Sequence, residues 1–125
     1  MNHSGNVLAF IGDAVLSLQV REYLVSIGIS KTKQLQETSV KYVSAKAQAN
    51  YMMTLIESDS LTEEEMVMYK RGRNAKSASI AKNADVTTYR IATGFEALWG
   101  YLYLTQQNER LTFLWNEFKE MVDIR

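Results

Sequence analysis

The chain has no cysteine, no proline and a single histidine, and each scarcity removes a class of chemistry. Without cysteine there is no disulfide, no thiolate metal site and no thiol nucleophile, a composition that a reducing cytoplasm tolerates most easily. A Ser-His-Asp triad or a zinc site would have to use His3, which lies in a polar N-terminal stub (Met1 to Asn6) expected to fray. Zero proline and only six glycines leave little to interrupt helices. Strand alternation, repeats and low-complexity tracts are also missing, so the chain reads as all-α. No window approaches the ~18–20 apolar residues of a membrane helix, and no basic segment leads into an apolar run. The expectation is a soluble cytoplasmic protein with no membrane partner. Fourteen Lys plus Arg balance fourteen Asp plus Glu, so any polyanion binding must come from local charge segregation. With 46% hydrophobic and 22% charged residues the composition is that of a folded globular protein, and 125 residues give room for one domain, 1–125.

Five or six helices are expected. The first runs from about Val7 to Val25 and stops near Gly28; the second covers about Thr32 to Tyr42. Ser44 reads as the N-cap of a third helix carrying Ala47, Tyr51, Met52 and Leu55 at spacings of three and four and ending near Glu57. Thr62 followed by Glu65 is a capping-box pattern for a helix reaching about Lys70. The stretch from Arg71 to Ala84 has little apolar content and no consistent period, and reads as a long loop. Asp85 or Thr87 caps the most apolar helix, about Thr88 to Thr105. An amphipathic helix from about Glu109 to Val122, with Leu111, Leu114, Trp115, Phe118 and Met121 on one face, follows.

Two carboxylates stand alone in the two most apolar helices. Asp13 is the only charged side chain between His3 and Arg21, and Glu96 the only one between Arg90 and Glu109. At about 100° per residue, Leu8, Ile11, Val15 and Leu18 form one stripe and Asp13 points the opposite way, flanked by Ala9, Leu16 and Val20. Glu96 shares a face with Tyr89, Ala92, Thr93, Trp99, Gly100 and Tyr103. Both acids are expected to be partly desolvated, and neither has a basic residue three or four positions away. An isolated buried carboxylate costs several kcal/mol unless it is neutralised, paired or bound to a metal. A shared divalent cation would answer for both, with Gly12, Ala14, Ala97 and Gly100 allowing close helix packing. The structural alternative is hydrogen bonding from Tyr89, Tyr103 or Trp99 and pairing with a distant arginine.

Zero net charge hides a segregated pair of segments. Glu57 to Glu65 holds five acids and no base, whereas Lys70 to Ala84 holds Lys70, Arg71, Arg73, Lys76 and Lys82 and no acid. Asn74, Ser77, Ser79 and Asn83 add hydrogen-bond donors suited to phosphate oxygens. The alternative is an ordinary solvated loop. With no aromatic side chain in the segment, a duplex recognised through shape and phosphates fits better than stacked single strands.

The run Leu8-Ala9-Phe10-Ile11-Gly12-Asp13-Ala14-Val15-Leu16 resembles the signature helix of the ribonuclease III catalytic domain, close to L-E-F-L-G-D-A-V-L. Phe95-Glu96-Ala97-Leu98-Trp99-Gly100-Tyr101-Leu102-Tyr103-Leu104 is similar to the later metal-binding helix of that family. Likeness is closer still to its short branch, Mini-ribonuclease III, through Val40 to Ala49, Tyr69 to Lys76 and Lys82 to Val86. The resemblance implies a ribonuclease III endonuclease-domain-like helical bundle. It makes Asp13 the catalytic aspartate and Glu96 the metal-binding glutamate, holding Mg²⁺ with Mn²⁺ as a substitute. Two further family acids are replaced here, by Ala9 and Thr93, so water must fill more of the metal shell. It also implies a homodimer whose joined domains cradle double-stranded RNA. The implied substrate is the stem joining the ends of a large-subunit ribosomal RNA precursor, cut to 5′-phosphate and 3′-hydroxyl ends, with a large-subunit ribosomal protein as a further candidate partner. Lys70, Arg71, Arg73, Asn74, Lys76, Lys82 and Asn83 would then grip RNA. Two other classes stand beside this reading. One is a non-catalytic RNA-binding or ribosome-associated module on the same fold; the other is a helical interaction protein with no RNA partner.

Overall fold

The structure is a computed structural model that describes residues 2–76 and 85–124. Among the described residues there are six α-helices and no strand: α1 (Gly5–Ser26), α2 (Thr32–Val43), α3 (Ala45–Glu57), α4 (Glu63–Arg73), α5 (Val86–Leu104) and α6 (Asn108–Asp123). The caps explain most of the starts. Ser44 accepts from the Ala47 N–H at 3.2 Å, and Asp85 from those of Thr87 and Thr88 at 2.9 and 3.4 Å. At α4 the capping box is complete, Thr62 accepting from the Glu65 N–H at 3.1 Å and Glu65 from the Thr62 N–H at 2.9 Å. Gly28, at φ +97°, turns the chain out of α1.

Helix α5 is the axis of the bundle. Its Phe95, Ala97, Leu98, Trp99 and Leu102 are fully buried, and α1, α3, α4 and α6 all pack against it. The Phe95 ring lies 4.5 Å from that of Trp99, and Tyr51 of α3 stacks on Phe118 of α6 at 4.9 Å. Helix α6 is locked to the start of α4 by an ion pair with little access to water. Arg110 donates to both oxygens of Glu65 at 2.9 Å, while Glu65 is 2% exposed. Burial pushes the Glu65 carboxyl up, but the Arg110 guanidinium and the Thr62 cap together hold it below its ordinary value.

Three sequence expectations need correction. First, the buried line of α1 is Gly5, Leu8, Ala9, Gly12, Leu16, Val20 and Leu24, so of the expected stripe only Leu8 is buried; Leu18 is 59% exposed and Ile11 and Val15 are half-buried. A helix apolar on every side does not announce which side faces inward. Close approach of two backbones chose the side with the glycines: a Cβ on Gly12 would lie 1.8 Å from the Glu96 carbonyl oxygen, and one on Gly100 2.0 Å from that of Leu8. Gly12, Gly100 and Ala97 thus act as expected, whereas Ala14 is exposed.

Second, the N-terminal stub does not fray as a unit. Helix α1 already begins at Gly5, capped by Ser4 at 3.2 Å from the Val7 N–H, and Asn6 donates to the Lys76 carbonyl at 2.7 Å. Third, α4 continues through Arg73, which takes Arg71 and Arg73 out of the expected loop and sets them with Lys70 in a last helical turn, where cations favour the helix dipole. Gly72 permits this by packing on α5, where a Cβ would sit 2.4 Å from Ala97 Cβ.

Candidate active site

The tight crossing of α1 and α5 at Gly12 and Gly100 brings Asp13 and Glu96 side by side from positions far apart in the chain. Glu96 is half-buried, and Asp13 lies at the rim of the buried face of α1 and is exposed, so the expected desolvation holds for one acid and not the other. Burial, then the hydrogen bond and like charge of Asp13, push the Glu96 carboxyl up to about 8 from an ordinary 4.5; a hydrogen bond from Gln48 pulls the other way. Two carboxyl groups in this arrangement share a proton or share a cation.

Trp99 Nε1 donates to Gln19 at 2.7 Å, and the ion pairs Lys33–Glu37 and Arg110–Glu65 use different acids. Ala9 is 7% exposed and offers no ligand atom, while Thr93 carries a neutral hydroxyl that donates to the Tyr89 carbonyl at 3.0 Å. Among the described residues no group of three or more His, Asp or Glu could hold a metal ion. Two oxygen acids remain, a set that suits Mg²⁺, which is commonly held by one or two carboxylates and keeps several waters.

A third member of the site was missed in the sequence. Gln48, on α3, is 2% exposed, and its Nε2 donates to Glu96 Oε2 at 3.3 Å and to the Val43 carbonyl at 2.9 Å. Its Oε1 is buried and meets no donor among the described residues. Leaving such an atom unsatisfied costs about 1–3 kcal/mol. The signal was present: Gln48 falls on the same face as Tyr51, Met52 and Leu55, a polar side chain in an otherwise apolar stripe.

The basic end of α4 lies against the same stretch of α5. The Gly72 backbone packs on Thr93, Gly94 and Ala97, which flank Glu96. Lys70, Asn74 and Lys76 are exposed. Arg71 is half-buried and donates to the His3 carbonyl at 3.0 Å; Arg73 lies over the Tyr69 ring at 5.6 Å and donates to Asn74 at 3.2 Å. Lys82 and Asn83, with Ser77 and Ser79, lie outside the described residues.

A family model described as the ribonuclease III domain matches residues 6–107, a span that contains Asp13, Gln48, Glu96 and the basic turn. The chain belongs to the ribonuclease III family. It is an endoribonuclease, as that membership establishes, which sets aside the non-catalytic module and the helical interaction protein. Among curated relatives it is 59% identical to Mini-ribonuclease 3 of Enterococcus faecalis (strain ATCC 700802 / V583) over 113 residues, covering 90% of this chain and 86% of the relative. It is 51% identical to Mini-ribonuclease 3 of Streptococcus pneumoniae (strain ATCC BAA-255 / R6) over 111 residues, covering 89% and 87%. A crystal structure of a Fusobacterium nucleatum protein superposes with a TM-score of 0.84 at 31% identity, over 95% of this chain and 93% of that one.

Proposed function

We propose that residues 1–125 of this endoribonuclease form one catalytic domain that cleaves double-stranded RNA at Asp13 and Glu96 with a bound divalent cation. Mg²⁺ is the working ion and Mn²⁺ its substitute. The observation that carries the reading is the meeting of two carboxyl groups from the two most apolar helices, one of them raised to about 8 by its surroundings. When bound, the cation stabilises charge building on the scissile phosphate and acidifies water for attack. Asp13 and Glu96 are the residues that would hold it, and Glu96 has to surrender its proton to do so. Lys70, Arg71, Arg73, Asn74 and Lys76, with Lys82 and Asn83, grip phosphate oxygens on either side of the cut. No imidazole is needed, which accords with a single histidine at position 3. Products carry 5′-phosphate and 3′-hydroxyl ends.

The resemblance read from the sequence supplies the substrate: the stem that joins the ends of a large-subunit ribosomal RNA precursor in the cytoplasm, met on a pre-ribosome beside a large-subunit ribosomal protein. A homodimer supplies a footprint that one such domain is too small to provide. Val7, Phe10, Ile11, Ala14 and Leu18 fall on one line of α1, and Phe10 is 78% exposed, an apolar strip of the kind that a second copy covers. The test is cleavage of a perfect RNA duplex by wild type and by Asp13→Asn, each with Mg²⁺ and with EDTA. Wild type with Mg²⁺ should cut, and the other three combinations should not, while Asp13→Asn still binds the duplex. Cleavage by wild type in EDTA, or by Asp13→Asn at the wild-type rate, would overturn the proposal.

A further inference from the structure

We infer that Gln48 is a positioning residue for this site: its amide N–H₂ fixes the Glu96 carboxylate toward the cation, and its Oε1 accepts a hydrogen bond from a water in the cation's shell. The inference rests on the proposal that Asp13 and Glu96 hold a divalent ion. It begins with an oddity of α3. Gln48 is 2% exposed, on a helix face otherwise given to Ala49, Tyr51, Met52 and Leu55. Its orientation is set by chemistry, because Nε2 faces two acceptors, the Val43 carbonyl at 2.9 Å and Glu96 Oε2 at 3.3 Å. Rotating the amide by half a turn would set its oxygen against the Val43 carbonyl, which can only accept.

That orientation has two results. The Val43 carbonyl anchors the amide to the end of α2, so the N–H₂ that reaches Glu96 is held from a second element and does not follow the carboxylate. Oε1 is left buried without a donor among the described residues. Buried carboxamide oxygens normally accept hydrogen bonds, and this one belongs to the amide that donates to Glu96. The set of carboxylates is sparse: Ala9 carries no ligand atom, and Thr93 carries a neutral hydroxyl that donates to the Tyr89 carbonyl at 3.0 Å. A cation held by two carboxylates keeps several waters, and each is an O–H donor in search of an acceptor. A buried, pre-oriented carbonyl beside the carboxylate supplies one. Residues that orient ligands in this way are commonly worth 10–100-fold in metal affinity or activity.

The test uses Mn²⁺ alone, without RNA, titrated into the intact protein and followed by the loss of the free-ion electron paramagnetic resonance signal. Wild type, Asp13→Asn and Gln48→Met are compared. Methionine keeps the length and approximate volume of glutamine and removes both polar atoms, so a purely packing role predicts unchanged Mn²⁺ binding. Positioning predicts Mn²⁺ affinity roughly 10-fold or more weaker in Gln48→Met, kcat lowered in parallel, and KM for duplex RNA unchanged. Mn²⁺ affinity within about 2-fold of wild type in a folded Gln48→Met would overturn the inference and leave the Asp13–Glu96 site standing. Equal Mn²⁺ binding by wild type and Asp13→Asn would overturn both. A second measurement needs no Gln48 variant. In ¹⁵N-labelled wild type the Gln48 side-chain N–H₂ signals, assigned by their contacts to Val43, should shift in step with Mg²⁺ saturation and stay fixed in Asp13→Asn. Signals that do not move as Mg²⁺ saturates the protein would likewise refute it.

Discussion

Removing one charge from the candidate site should make the metal-free protein more stable, and by an amount that depends on pH. Glu96 titrates at about 8 in the folded protein against an ordinary 4.5. Between those values the folded chain holds a proton that the unfolded chain has lost, so stability falls as pH rises through this window. Each tenfold change in proton affinity is ~1.4 kcal/mol, which caps the cost of the Glu96 charge at about 5 kcal/mol. Burial supplies the largest part and persists in a variant; the hydrogen bond and like charge of Asp13 supply the next. Asp13→Asn removes the charge and adds an amide donor, returning about 1–2 kcal/mol above pH 8 and almost nothing below pH ~4.5. For a chain of this size that is a rise in Tm of roughly 3–8 °C. The assay is thermal unfolding in EDTA at pH 5 and pH 9, followed by circular dichroism. Saturating Mg²⁺ at pH 9 should reverse the order, because wild type then gains binding energy that the variant lacks. An Asp13→Asn protein no more stable than wild type at pH 9 in EDTA would show that the two acids do not feel each other, and the account of the site would fail.

Other outcomes follow from the same geometry. Arg73→Ala and Lys70→Ala should each weaken duplex RNA binding and lower the slope of log affinity against log salt by about 1 without changing kcat at saturating RNA, as measured by filter binding at several salt concentrations. Gly12→Ala places a Cβ 1.8 Å from the Glu96 carbonyl oxygen, and urea denaturation should show a loss of about 3 kcal/mol or more; a near-neutral result would mean the crossing is looser than described. Arg110→Ala strands the buried Glu65 and should cost about 3 kcal/mol at pH 7, with part of the loss recovered by adding Glu65→Gln. Because the Glu65 carboxyl titrates below its ordinary value, wild type should lose the stability that Arg110 confers as pH falls below ~4.5, and Arg110→Ala should show a flatter acid limb. Phe10→Asp should leave a folded monomer in sedimentation equilibrium if the exposed strip of α1 is where two copies meet.

Much of this protein was legible in its sequence. The absence of proline and the caps at Ser44, Thr62 and Asp85 placed three helix starts to within a residue or two, because capping is a local bargain between a side chain and the next turn of backbone. The two stranded carboxylates marked out the candidate site for a similar reason, since a lone charge in an apolar helix needs a partner from elsewhere. What remained hidden was set by contacts between distant segments. The inward face of α1 followed from the Gly12–Gly100 crossing, and the last turn of α4 formed because Gly72 found room against Ala97. Gln48 acquired its meaning only when α3 docked beside Glu96, turning a polar misfit in an apolar stripe into a donor aimed at a carboxylate. Composition and local pattern determined the helices and nominated the acids, because both depend on neighbours a few residues away; which surfaces met, how closely, and with what shift in proton affinity depended on backbone approach across the fold, which only the assembled tertiary structure decided.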